Sequence, residues 1–261
     1  MKLKALFALV LALGFAGDAL AEDAHEAMHP AKLEWTWDGP FGTFDRQQLQ
    51  RGYQVYKEVC SACHAMHLMA FRNLSQPGGP EFSEAQVKAI AASFQIKALD
   101  DKGEEIQRPG TPADRFPSPF PNELAARAAN NNAYPPDLSV IIKARHGGPD
   151  YLVALITGYS DAPSDFQLLP GLNYNPYFAG HQIAMPAPLT SDGQVTYAPN
   201  AGNPDSTKQQ MAKDVAAFLT WASEPKLEER KRTGVKVMIF LILLSGLLYL
   251  AYRRLWQDVD H

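Results

Sequence analysis

Cys60 and Cys63 are the only two cysteines in the chain, and a histidine follows directly: Cys60-Ser61-Ala62-Cys63-His64. A C-x-x-C-H run ties the fold to a prosthetic group. Two thiols one helical turn apart can each add to a vinyl group on the same porphyrin edge, and the adjacent imidazole then lies under the iron. The motif predicts one covalently bound haem c, anchored through Cys60 and Cys63, with His64 as an axial ligand. Other uses of these residues fit less well. A thioredoxin-like redox pair needs a βαβ setting, and the flanks here read as helical. A zinc site of Cys60, Cys63, His64 and His67 lacks the spacer that lets a finger close round its metal. A disulfide across C-x-x-C closes almost no loop, so it would be a poor staple.

The two ends read as separate from the fold. Residues 1–21 start with Lys2 and Lys4, run apolar from Ala5 to Ala16 and close on Ala19-Leu20-Ala21. A basic start, a short apolar run and a small-residue end predict a secretory signal peptide cleaved before Glu22. A second apolar run, Val237–Tyr252, carries no charge and is flanked by Lys236 and Arg253. Residues 235–252 would form a helix of about 27 Å, long enough to span a bilayer with its basic flanks snorkelling. Lys226, Arg230, Lys231, Arg232 and Lys236 precede this run, while only Arg253 and Arg254 follow it. A bare count of basic residues would place the main domain in the cytoplasm. The signal peptide predicts the reverse, and the first targeting element usually dominates. The expected order is an exported domain at 22–225, a juxtamembrane linker at 226–234, the transmembrane helix at 235–252 and a cytoplasmic tail at 253–261.

Within the exported part, residues 22–44 read as an extended lead-in with Trp35 and Trp37. Leu49, Tyr53, Tyr56 and Cys60 share one face of a helix predicted over 45–59. Ser83 is the expected cap of a second helix reaching Ala98. Five prolines make 108–121 irregular. Short helices are expected at 138–145 and 149–157, and long ordered loops from Tyr159 to Pro204. A last helix over 205–223 would bury Met211, Val215, Phe218 and Ala222 before Glu224-Pro225 stops it. The predicted class is mainly α, a c-type cytochrome domain with long ordered loops and one C-terminal transmembrane helix.

A haem iron has a second axial position. Met1 falls in the signal peptide, Met238 in the span and Met28 near the new terminus. Met66 and Met69 follow His64 too closely to cross the ring, and Met211 lies on a packing face. Two candidates stay open in one Pro-flanked loop, Met185 and His181. Methionine would raise the reduction potential and a second histidine would lower it.

The chain resembles the cytochrome c1 family, the membrane-anchored haem subunits of ubiquinol–cytochrome c oxidoreductase complexes. The resemblance rests on an ordered set of segments. Gly52-Tyr53-Gln54-Val55-Tyr56-Lys57-Glu58-Val59 leads into Cys60. Ala126-Arg127-Ala128-Ala129-Asn130-Asn131, Pro135-Pro136-Asp137-Leu138-Ser139, Ala144-Arg145-His146-Gly147-Gly148 and Asp150-Tyr151 follow. Then come Asn175-Pro176-Tyr177-Phe178, Ile183-Ala184-Met185-Pro186 and Trp221-Ala222-Ser223-Glu224-Pro225-Lys226. It implies Met185 as the distal ligand, Arg145 as partner of a haem propionate and Tyr151 near the haem. Some bacterial relatives brace the distal loop with a further cysteine pair, which this chain lacks.

The resemblance also implies a function and its partners. The chain would carry single electrons from the Rieske iron–sulfur subunit to a soluble basic cytochrome c, beside a cytochrome b, in a respiratory or photosynthetic chain. It would have no catalytic site of its own. It would sit in a bacterial-type inner membrane as a single-pass protein with its haem domain in the periplasm. Charge agrees with such a partner: residues 22–225 hold 15 basic and 23 acidic side chains, net −8. An acidic domain steers a basic partner and is a poor nucleic-acid binder. The rivals are a free membrane-tethered cytochrome shuttle and, with an open iron position, a haem peroxidase.

Overall fold

Asp45 accepts hydrogen bonds from the amides of Gln47 and Gln48 and so starts helix α1, Arg46–Glu58. A computed structural model describes residues 27–198 and 202–258; the expected signal peptide lies outside the described residues. Leu49, Tyr53 and Tyr56 face the core as their spacing predicts, and Cys60–Ala62 continues α1 as a 3-10 turn.

The next helix, α2 (Glu84–Ala92), starts at the expected cap. Ser83 and Gln86 exchange side-chain-to-backbone bonds there. It ends six residues before Ala98, which corrects the sequence reading. The Ser93 hydroxyl turns back to the Ile90 carbonyl, and β1 (Gln95–Leu99) pairs antiparallel with β2 (Glu105–Pro109). The cause is a turn signal after the apolar run. Asp100 accepts from the amides of Lys102 and Glu104, and Gly103 takes a positive φ of 83°. Charged, exposed side chains on both strands keep this hairpin out of the core.

Helix α3 (Glu123–Ala129), capped by Asn122, was not foreseen. Residues 138–145 form successive turns instead of a helix, and Leu138, Ile141 and Ile142 still point inward. Helix α4 spans Gly148–Thr157. The chain that follows carries one small ladder between β3 (Asn173–Tyr174) and β4 (Gln182–Ile183).

Helix α5 (Lys208–Ser223) is the centre of the domain, buried on nearly every side from Met211 onward. It crosses α1 at Gly52, where an added Cβ would lie 2.0 Å from the Asp214 carbonyl oxygen. Only glycine permits that approach. A buried ion pair locks the crossing: Arg51 Nε donates to Asp214 Oδ2 at 2.8 Å, and the Tyr197 hydroxyl donates to the same oxygen at 2.7 Å.

Helix α6, Leu227–Leu255, begins directly after the Glu224-Pro225 break and is long and apolar enough to cross a membrane. Residues 227–234, read as linker, are its first turns. Leu227 is buried in the domain, whereas the side chains from Val237 onward are exposed, as a lipid-facing span requires. Glu228 accepts from the Phe44 amide at 2.8 Å and from Arg46 at 2.7 and 2.8 Å, and Lys231 donates to the Trp37 carbonyl. The span is therefore clamped to the domain.

Candidate functional site

The end of α1, the turns at 138–145, α4, α5 and the loop around Met185 surround one cavity of about 520 Å³. Val55, Val59, Ile142, Leu152, Val215 and Leu219 make its walls mostly apolar. Cys60, Cys63, His64, Met185, Arg145 and Tyr151 all line it. The two ends of a 121-residue separation, His64 and Met185, thus meet in one space.

Each side of the cavity is held differently. His64 follows α1 rigidly, since its amide donates to the Cys60 carbonyl at 2.9 Å. Its Nδ1 stands 2.8 Å from the Pro136 carbonyl oxygen. A carbonyl only accepts, so Nδ1 carries the proton and Nε2 keeps its lone pair for a metal. Burial holds the imidazole pKa below its ordinary value, against the pull of the Pro136 carbonyl and Asp137, and so keeps the ring neutral. Burial, then the neighbouring Cys63, pushes the Cys60 thiol up to about 12.

Segment 136–139 is zipped onto residues 64–68. The Leu138 amide donates to the Ala65 carbonyl at 2.9 Å, and the Leu68 amide to Ser139 Oγ at 3.1 Å. Asp137 Oδ2 lies 2.8 Å from the His67 amide and 2.6 Å from His67 Nδ1, while Oδ1 accepts from the Ser139 amide at 2.8 Å. Burial raises the Asp137 pKa, but the bonds from Ser139 and His67 outweigh it and hold the carboxyl below its ordinary range. His67 is thus engaged by Asp137. Among the described residues no three His, Cys, Asp or Glu side chains converge as metal donors.

In the loop that brings Met185 to the cavity, the Met185 carbonyl accepts from the Tyr159 hydroxyl at 2.9 Å and from Asn173 Nδ2 at 3.3 Å. Asn175, fully buried, donates to the Leu155 carbonyl at 2.7 Å and ties this loop to α4. His181 does not line the cavity; its ring packs edge-on against Tyr174 and beside Phe166. The other described methionines lie elsewhere: Met66, Met69 and Met211 in the core, Met28 and Met238 exposed. Arg145 is exposed at the rim, with its own neighbour's carbonyl, that of Ala144, as its hydrogen-bond partner at 2.9 Å. Burial raises the Tyr151 pKa, and Arg145 opposes that shift.

Asp137, Ser139, Tyr159, Asn173 and Asn175 were not singled out as site residues from sequence. An Asp two before a Ser is a turn signal and could have flagged the first pair. Tyr159 and Asn173 carry no comparable signal.

Two thiols, one neutral imidazole with a free Nε2, a thioether lining the same cavity and a rim guanidinium around apolar walls suit a c-type haem. Together with α6 they describe a membrane-anchored cytochrome domain. The model of the Cytochrome C1 family matches residues 35–259. The chain is 45% identical to cytochrome c1 of Rhodospirillum rubrum over 99% of its own length and 98% of that protein's. It is 47% identical to "Cytochrome c1-2, heme protein, mitochondrial" of Solanum tuberosum, over 95% and 92% of the two chains. It is also 47% identical to "Cytochrome b/c1" of Bradyrhizobium diazoefficiens, covering 95% of this chain but only 38% of that longer protein. The chain belongs to the cytochrome c1 family, and with it to the electron carriers that have no catalytic site of their own.

Proposed function

We propose that the chain would hold one haem c through thioether bonds from Cys60 and Cys63, with His64 Nε2 and the Met185 sulfur as the donors to its iron. The observation that carries this reading is the shared cavity of His64 and Met185. When bound, the haem supplies a one-electron iron couple whose potential methionine ligation raises. His64 is oriented by the Pro136 carbonyl, and Met185 by Tyr159 and Asn173 acting on its backbone. Arg145 provides a guanidinium for a haem propionate, with Tyr151 beside it. The apolar walls exclude water.

In this reading the chain takes single electrons from the iron–sulfur protein of a bc1-type complex and passes them to a soluble basic cytochrome c. The net −8 of residues 22–225 favours a basic acceptor. The relative named cytochrome b/c1 supports a cytochrome b neighbour. The domain lies on the periplasmic side of a bacterial inner membrane, exported by residues 1–21. A free shuttle needs a long tether, and the clamp of Glu228 and Lys231 on the domain favours a complex subunit instead.

Reduced-minus-oxidised spectra of membranes test the ligand set. Met185→Ala is expected to keep the thioether-linked haem but lose potential on the order of 100 mV or more, given the wide range set by axial ligands. An unchanged spectrum and potential would rule out Met185. Purification without an accompanying b-type cytochrome would favour the shuttle.

A further inference from the structure

We propose that Asp137 is a positioning residue for His64: its carboxylate holds the Pro136 carbonyl against His64 Nδ1 and thereby lowers the reduction potential. The inference rests on the haem reading and adds to it a residue that touches neither the cavity nor the metal donors. Pro136 and Asp137 share a peptide group, so whatever fixes Asp137 aims the carbonyl that His64 meets at 2.8 Å. Asp137 is fixed from both sides of its carboxylate. Oδ1 closes a turn onto the Ser139 amide, and Oδ2 receives both the amide and Nδ1 of His67. His67 is itself held, since Arg115 donates to its carbonyl. Ser139 is 1% exposed and accepts from the Leu68 amide. The segment therefore has little freedom to swing the carbonyl away from the ring.

A firm acceptor on Nδ1–H gives the imidazole more anionic character and makes Nε2 a stronger donor. A stronger donor stabilises the oxidised, more positive iron. The negative charge of the carboxylate acts in the same direction. Asp137→Asn keeps the shape of the side chain, removes the charge and leaves one accepting oxygen where two held Ser139 and His67, so the segment that aims the Pro136 carbonyl loosens.

The test is a redox titration of the full-length haem-loaded chain in its membrane. Asp137→Asn is expected to shift the equilibrium three- to tenfold toward the reduced form, an upward shift of about 28 to 59 mV for a one-electron couple. The methionine-ligated spectrum should be unchanged. The shift should survive about 1 M salt, where screening reaches about 3 Å, because a hydrogen bond is not screened as a distant charge is. Ser139→Ala keeps the charge and loosens the segment, so a smaller shift of the same sign is expected. Should Asp137→Asn fail to assemble, Ser139→Ala decides alone. An unmoved potential, or a shift abolished by salt, would overturn the proposal. Failure of the haem reading would look different: the wild type itself would show no c-type spectrum.

Discussion

The two walls of the cavity solve one problem with different materials. The His64 wall is built from a helix end and a zipper between residues 64–68 and 136–139, with a carboxylate at its centre. The Met185 wall is a long loop held by neutral groups, namely the Tyr159 hydroxyl and the amides of Asn173 and Asn175, with a two-residue ladder behind them. His64, one residue past a C-x-x-C motif, inherits its place from the chain. Met185, 121 residues away, must be delivered by tertiary bonds. This chain has no cysteine left to brace that loop, so buried amides carry the task.

The largest expected effect breaks the His64 wall from beneath. Asp214→Ala leaves Arg51 buried without its partner and removes the acceptor for Tyr197 and Gln210. A loss of about 3–5 kcal/mol is expected, read as a lower thermal midpoint in detergent, with α1 and α5 separating together. Asn175→Ala breaks the other wall. It strips the Leu155 carbonyl and the Tyr177 amide of a buried partner, at a cost of about 1–3 kcal/mol. The reduced protein should then bind CO, because the methionine loop opens while the thioether spectrum stays.

Tyr159→Phe sharpens the contrast more gently. Deleting one bond to the Met185 carbonyl is expected to cost about 0.5–1.5 kcal/mol and to speed displacement of methionine by an added ligand. Acid should separate the walls with the smallest effect. The Asp137 pKa is depressed in the folded chain, so its stabilisation is complete above the ordinary Asp value of about 3.9 and is lost as pH falls below it. The neutral groups of the Met185 wall do not titrate there. Hydrogen exchange at the Leu68 and Leu138 amides should rise in acid before exchange in the 173–183 ladder does.

Legibility in the sequence followed the range of the interactions. α1 and its buried face were readable because Asp45, Leu49, Tyr53 and Tyr56 act within a few turns of one helix. The caps at Ser83 and the break at Glu224-Pro225 are equally local. The hairpin at 95–109 was missed because its first strand continues an apolar helical pattern, and pairing with β2 overrode it. Met185 and His181 shared one loop and could not be separated by elimination. Packing of His181 against Tyr174 and Phe166 turns it from the cavity.

Taken alone, the sequence determined the haem motif, the membrane-spanning helix and the acidic character of the part between the two ends, since each is a property of contiguous residues or of composition. Only the tertiary structure decided which distant loop shares the cavity of His64, that the span is clamped to the domain through Arg46 and Glu228, and that the Pro136 carbonyl meets the imidazole beside an Asp137 bonded to His67 and Ser139. Those outcomes depend on bonds between residues tens to hundreds of positions apart. No local period or motif encodes them, because each forms only when the core around α5 has brought its partners together.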